Sequence, residues 1–386
     1  MESLRSGEAA PRSAGVVSRT VRLSDAPRPR AALADADPPR TFWAAPGEAT
    51  VVGSGAAETI QADGPERFRT VREAADELFS FGDVHAGALA ARPRLFGGVS
   101  FHDEHAGEGP WEGYPGAKFV LPRRQTTYAD GDVWLTVNAV GEEPATVEQR
   151  LEDARQALQA LPSSGAVGAP PGILSRIKTT SKAEWRDSVT AATDRIAAGE
   201  LRKVVLAQAL RTSLSNPVSV PDVLTRLGTT YPDCYRFLLE PNDGTGGFFG
   251  ATPERLVDLR GRTVETGALA GTTGRGETPE EDEWLAEELL SDEKNTHEHD
   301  LVVGAVRDQL EPHAASIRTG ARRIRRLATV QHIETPITAE LATDEHVLTL
   351  VEALHPTPAV GGLPPDRALA TIRDTPIRTA SGTRYS

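Results

Sequence analysis

Across residues 50–139 short apolar runs alternate with Gly, Pro and Asp: FGGVSF (96–101), AKFVLPR (117–123) and DVWLTVNAV (132–140). Runs of this length bounded by turn formers predict an antiparallel sheet. The first forty residues are rich in Pro, Ala and Arg with little periodicity beyond a strand at 16–23, so residues 1–45 are expected to form a partly loose arm, followed by a β-rich part over 46–162. A helix is predicted over 147–161. After it, SSGAVGAPPG (163–172) has the composition of a linker, and residues 173–386 form the second region.

That region opens on a helix whose ends are written into the chain. Ser181 with Glu184 makes a capping box, Gly199 supplies the stop, and Trp185, Val189, Ala192 and Ile196 make one apolar stripe. LRKVVLAQAL (201–210) reads as a buried strand, and YRFLLE (235–240), GFFGATPERLVDL (247–259) and TVETGALAG (263–271) as further strands. Two helices follow, one opening at Thr278 with Pro279 at its first position, the other over 292–310.

Composition narrows the class. With 386 residues, 39% hydrophobic and 25% charged, the chain is globular. No apolar run reaches the roughly 18 residues of a membrane span, and the N-terminus lacks a secretory h-region, so a soluble cytoplasmic protein without a membrane partner is expected. A net charge of -13 repels phosphate backbones and argues against nucleic acid. Cys234 is the single cysteine and cannot form an internal disulfide. Only five of the 42 basic residues are lysines, which draws attention to each.

Lys203 shares a strand face with Val205, Ala207 and Ala209. A lysine desolvated among small apolar groups has a lowered pKa and can serve as a general base; the alternative is a strand-end lysine reaching back to solvent. Glu254, in ATPERLV, is either a turn residue after Pro253 or a carboxyl kept protonated by an apolar setting to act as a general acid. Glu298 precedes Leu301, Val302 and Ala305 by three, four and seven positions and so shares the apolar stripe of its helix, where a carboxylate needs a partner or a hard cation such as Mg2+. A small shift of helix phase would instead put it on the charged face. His297 and His299 lack the i, i+4 spacing of a zinc helix. AGTTGRG (270–276) offers backbone N–H groups to an anion without being a Walker loop. His332 and His355, read singly, are structural or solvated, as are the HDEH loop (102–105) and the arginine strip of Arg322, Arg323, Arg325 and Arg326.

Taken in order, KVVLAQ, ATPERLV, ETGALAGTTGRG, SDEKNTHEHDLV, VQHIETP and LHPTPAVGGLP resemble the chorismate-utilising enzymes, most closely the isochorismate synthases. The resemblance covers residues 97–373 and implies an α+β fold with large antiparallel β-sheets flanked by helices. It also implies that Lys203 activates water for attack at C2 of chorismate, that Glu254 protonates the departing C4 hydroxyl, and that Glu298 binds Mg2+ at the substrate C1 carboxylate. Gly271 and Thr272 of the glycine turn and His332 would contact that carboxylate; Ala359 and Val360 would line the pocket. Anthranilate synthases of the family carry Gln where Lys203 stands, and lysine-dependent aminodeoxychorismate synthases place their lysine where this chain has Ala270. Salicylate synthases share Lys203, but the 354–362 loop is of the isochorismate synthase kind. A monomer is implied, and menaquinone biosynthesis is the expected pathway, with a siderophore route as the alternative.

The family pattern continues beyond Arg373 with further strands and a helix carrying a second Mg2+-binding glutamate, whereas this chain reads DTPIRTASGTRYS. The expectation is a truncated fold with open sheet edges, Arg384 and Tyr385 as remnants of an Arg-Gly-x-Tyr element, and little turnover. A non-enzymatic homologue that only binds ligand is the competing reading.

Overall fold

The computed structural model describes residues 15–104, 109–162, 165–244 and 246–374, with the backbone of 377–378 and 384–385. The chain divides into two compact units. One comprises Met1–Ser100, Gly113–Ala166 and Phe237–Gly250; the other comprises Phe101–Glu112, Val167–Arg236 and Ala251–Ser386. The passage from the first to the second after Ala166 falls within the Pro- and Gly-rich stretch.

The first unit is built on a nine-stranded sheet. Its strand order is Phe248–Thr252, Tyr235–Leu239, Thr41–Ala44, Thr50–Ala62, Ala117–Ala129, Asp132–Val140, Val16–Leu23 and Asp83–His85, with Phe96–Val99 also pairing with Ala117–Ala129. From Thr41–Ala44 through Val16–Leu23 neighbouring strands run antiparallel, as does Phe96–Val99 with Ala117–Ala129, whereas Val16–Leu23 and Asp83–His85 run parallel. From Gly15 onward, therefore, the chain corrects the expectation of a loose arm. Val16–Leu23 pairs along its whole length with Asp132–Val140, and Arg19 closes the far side through Asp83 at 2.6 Å. Pro and Ala between 24 and 40 mark turns and the short helix Pro29–Ala34, not disorder. Residues 1–14 of the expected arm lie outside the described residues.

In the second unit Thr263–Gly274, Val330–Leu341 and Ala314–Thr319 form the centre of an antiparallel sheet flanked by Asp258–Arg260 and Arg323–Arg326. Val330–Leu341 alternates strictly, burying Gln331, Ile333, Thr335, Ile337, Ala339 and Leu341, as a sheet with one covered face requires. The helix Glu293–Leu310 covers that face through Val302, Val306 and Leu310. Its start is fixed by Asp292, whose carboxylate accepts from the Asn295 N–H at 2.7 Å; Thr278 caps the preceding helix Pro279–Ser291 in the same way.

Two apolar patterns do not become buried structure. In the 201–210 run Lys203–Val204 is a short strand paired with Gly362–Leu363, Leu210 opens a second strand, Leu210–Leu214, paired with Ile173–Lys178, and residues 207–210 are exposed. The helix Lys182–Ala197 has the capping box expected of it, but of its stripe only Ala192 is buried. Apolar periodicity states what a segment can cover; burial needs a second surface, and in the first case only Leu201 and Lys203 are buried. Arg384–Tyr385 pairs with Ile377–Arg378 in a two-stranded ribbon. Among the described residues no helix is long and apolar enough to cross a membrane.

Candidate active site

Lys203 owes its position to the loop that contains Ala359 and Val360. The N–H groups of Arg202 and Val205 donate to the carbonyls of Leu363 and Gly361 at 2.8 and 2.9 Å, locking the two segments together. Gly362 has φ +151°, and a Cβ there would fall 2.3 Å from the Lys203 carbonyl oxygen, so the close approach requires glycine. The lysine side chain is 8% exposed. Its Nζ donates to the Pro358 carbonyl at 2.8 Å, with the Ala359 carbonyl 3.5 Å away. Ala359 is half-buried against the core of this unit, whereas Val360 is 47% exposed.

Glu298 reaches the same amine: its Oε1 lies 3.3 Å from Lys203 Nζ. The carboxylate is half-exposed, at the edge of the helix stripe and not in it. The residue at the centre of the stripe is His299, fully buried, which stands three, seven and eleven positions before Val302, Val306 and Leu310. Glu254 is half-buried beside this pair. Burial raises its carboxyl pKa, and the charge of Lys203 works against that rise. Arg255 secures the segment through Asp258 and Glu265, each at 2.8 Å.

The glycine turn is a bulge in the strand pair. Leu269 faces Glu334 and Thr272 faces His332, so Ala270 and Gly271 together stand opposite Ile333. Gly271 takes φ +83°, where a Cβ would meet Ile333 Cδ1 at 3.0 Å and Asn295 Cβ at 3.6 Å. Asn295 precedes Glu298 by one helical turn, which places the bulge along the Glu298 helix. His332 Nδ1 is 2.8 Å from Thr272 Oγ1. Burial lowers the pKa of His332, Arg325 pushes in the same direction, and the Gly271 backbone opposes both. Beyond the bulge, Arg275 and the Gly276 N–H grip the Asp282 carboxylate at 2.7 to 2.9 Å and hold its pKa at about 2.

Lys203, Glu254, Glu298 and Ala359 are thus brought together, and Gly271, Thr272 and His332 form a second cluster on two paired strands, with Gly271 against the Glu298 helix at Asn295; Val360 contributes to the loop from its exposed side. His355 stacks edge-on with Phe101, at 6.2 Å between ring centroids, and the arginine strip is paired with acidic residues such as Glu334. His105 of the HDEH loop lies outside the described residues. His299 is the residue the sequence reading passed over. Counting back from Leu310 in steps of four, four and three would have found it on the buried stripe.

The arrangement pairs a buried amine with a carboxyl whose pKa burial raises, beside a half-exposed carboxylate and a backbone bulge suited to an anion. A family model described as "Chorismate binding enzyme" matches residues 8–376. The chain belongs to this family. Isochorismate synthase MenF of Bacillus subtilis is 31% identical over 353 residues, spanning 87% of this chain and 73% of that protein. A salicylate biosynthesis isochorismate synthase of Pseudomonas aeruginosa is 34% identical over 358 residues, 88% of this chain and 71% of its own. Among solved structures, MenF, the menaquinone-specific isochorismate synthase of Escherichia coli, superposes with a TM-score of 0.75 at 24% identity over 96% of this chain and 81% of that one. Anthranilate synthase component I of Streptococcus pneumoniae has a TM-score of 0.68 at 18% identity, covering 98% and 81%. These likenesses establish the α+β fold with its large antiparallel sheets, and the family membership makes the protein a chorismate-utilising enzyme.

Proposed function

We propose that the chain converts chorismate to isochorismate. Lys203 takes a proton from water as its oxygen bonds to C2, the ring π electrons shift, the C4–O bond breaks, and Glu254 gives the leaving hydroxide a proton. One water enters and one leaves, so the reaction is an isomerisation. The observation that carries this reading is the opposed pair: a buried amine and, within reach of its charge, a half-buried carboxyl whose pKa burial pushes up. An acid and a base of different environments are what a water-in, water-out displacement needs at neutral pH.

Glu298 fits Mg2+ as a shared ligand. Among the described residues no three His, Cys, Asp or Glu side chains form a cage, and Mg2+ commonly binds through one or two carboxylates while keeping waters and taking substrate oxygens. The ion would be held by Glu298 together with the C1 carboxylate of the substrate, and when bound it would offset the substrate's negative charge. The bulge at Gly271, with Thr272 and His332, would contact that carboxylate, and Ala359 and Val360 would border the ring.

The test is chorismate and Mg2+ with product chromatography, comparing the wild type with Lys203→Ala. Isochorismate from the wild type and none from the variant is expected. Salicylate, or anthranilate when ammonia is present, would overturn the assignment, and chorismate binding with no product would favour the ligand-binding homologue. The same reading directs the product to menaquinone: a deletion strain should lose menaquinone and keep its siderophore output.

A further inference from the structure

His299 carries no exposed surface, yet both ring nitrogens are engaged by different strands. Nδ1 lies 3.2 Å from the Ala270 carbonyl oxygen and Nε2 lies 2.7 Å from Thr335 Oγ1. A carbonyl only accepts, so Nδ1 carries the proton donated to Ala270. In the neutral ring Nε2 then accepts from the Thr335 hydroxyl. Thr335 is itself buried on the central strand, opposite Ala268.

The Ala270 carbonyl belongs to the same peptide unit as the Gly271 N–H. In a planar trans peptide these two groups point in opposite directions. Fixing the carbonyl on the Glu293–Leu310 helix therefore fixes the direction of the Gly271 N–H. The bulge needs this support, because Ala270 and Gly271 share one facing residue and a glycine at positive φ has the widest freedom of any residue to rotate away.

We propose that His299 is a positioning residue for substrate binding, clamping the peptide between Ala270 and Gly271 so that the Gly271 N–H is aimed at an anionic group, the carboxylate of a cyclic carboxylic acid. This rests on the chorismate reading above and deepens it. His299 acts through the backbone and does not touch the substrate. The helix that presents Glu298 thereby also sets the glycine turn, so the two contacts to one carboxylate stay in register.

Two substitutions separate the two bonds. His299→Asn places an amide nitrogen at the position of Nδ1 and keeps a donor for Ala270; His299→Gln reaches the position of Nε2 and keeps only the contact to Thr335. Chorismate affinity is read by calorimetry with Mg2+, alongside melting temperature. The expected result is Asn within about threefold of wild type and Gln weaker by about tenfold, the scale of one lost hydrogen bond. Equal affinity in both variants, whether retained or lost, overturns the proposal. Should the Gln variant not fold, Thr335→Val decides: it leaves the Ala270 bond intact, so affinity within about twofold supports the clamp and a loss of about tenfold or more overturns it. A wild-type chain that does not bind chorismate defeats the underlying reading, a result distinct from a wild type that binds while Asn and Gln behave alike.

Discussion

Lys203 Nζ and Glu298 Oε1 are 3.3 Å apart, so the proposed base and the proposed metal ligand occupy each other. A carboxylate holding an ammonium must exchange it for a cation before it can bind one. Removing the lysine removes the competitor, and since Glu298 is half-exposed the carboxylate left behind remains solvated. Lys203→Met is therefore expected to abolish turnover while tightening Mg2+ binding by about three- to tenfold, in line with the loss of a partly buried ion pair. Calorimetric titration with Mg2+ checks it, and weaker binding in the variant would show that the pair supports the metal site.

Glu254 links activity to stability with a definite sign. Its carboxyl pKa is raised by burial, so the folded state binds the proton more tightly than the unfolded chain does. The stability this provides is complete below the unfolded value of 4.5 and is lost as pH rises through the folded value. Glu254→Gln keeps the shape and cannot ionise. It should be inactive yet melt above the wild type at pH 7 and 8, with the gap closing toward pH 4. A variant that melts below the wild type at every pH would mean the carboxylate is stabilised where it sits.

Gly362 tests whether the lysine is held by its loop. A Cβ there would clash with the Lys203 carbonyl at 2.3 Å and with Ala368 Cβ at 2.7 Å. Backbone on both sides of the contact is fixed by strand hydrogen bonds, so Gly362→Ala should cost on the order of 2–3 kcal/mol and lower kcat by separating Lys203 from Pro358. Urea unfolding and steady-state rates measure the two effects. A stable variant with normal kcat would show that the loop does not place the amine.

The candidate site residues and the helix starts were more legible in the chain than the packing. Lys203 and Glu298 could be singled out because each is a charge set among apolar neighbours, whereas local pattern left Glu254 an ordinary turn residue and only the order of the motifs marked it. Helix starts were equally legible: Ser181, Thr278 and Asp292 cap the helices they begin. What local pattern does not contain is the partner. The Lys203 amine ends on the Pro358 carbonyl, 155 positions away, and no property of residues 201–210 names that acceptor. The bulge at Ala270 and Gly271 is likewise a fact about register with Val330–Leu341, invisible until the two strands are paired. His299 was hidden for a different reason, since a histidine between two acidic residues reads as solvated unless its helical phase is counted from the far end.

Two histidines, His299 fully buried and His332 half-buried, predict sensitivity to mild acid. Burial lowers the pKa of both His299 and His332 below the ordinary 6.5. Below pH 6.5 the unfolded chain takes up protons that the folded chain refuses, so the stability they contribute is present above that pH and is lost as pH falls toward the folded values. Each histidine adds up to about 1.4 kcal/mol per pH unit to the slope within that window. Glu254 opposes the trend, since its contribution grows as pH falls, and the comparison is therefore best made in the Glu254→Gln background. There, urea midpoints measured from pH 7 to pH 5 should fall, and the fall should be shallower when His332→Gln is added. Gln retains a group able to bond Thr272, so the change in slope reports the lost titration and not a lost contact. An unchanged slope would mean that His332 takes up its proton alike in the folded and unfolded chain, and would overturn the prediction.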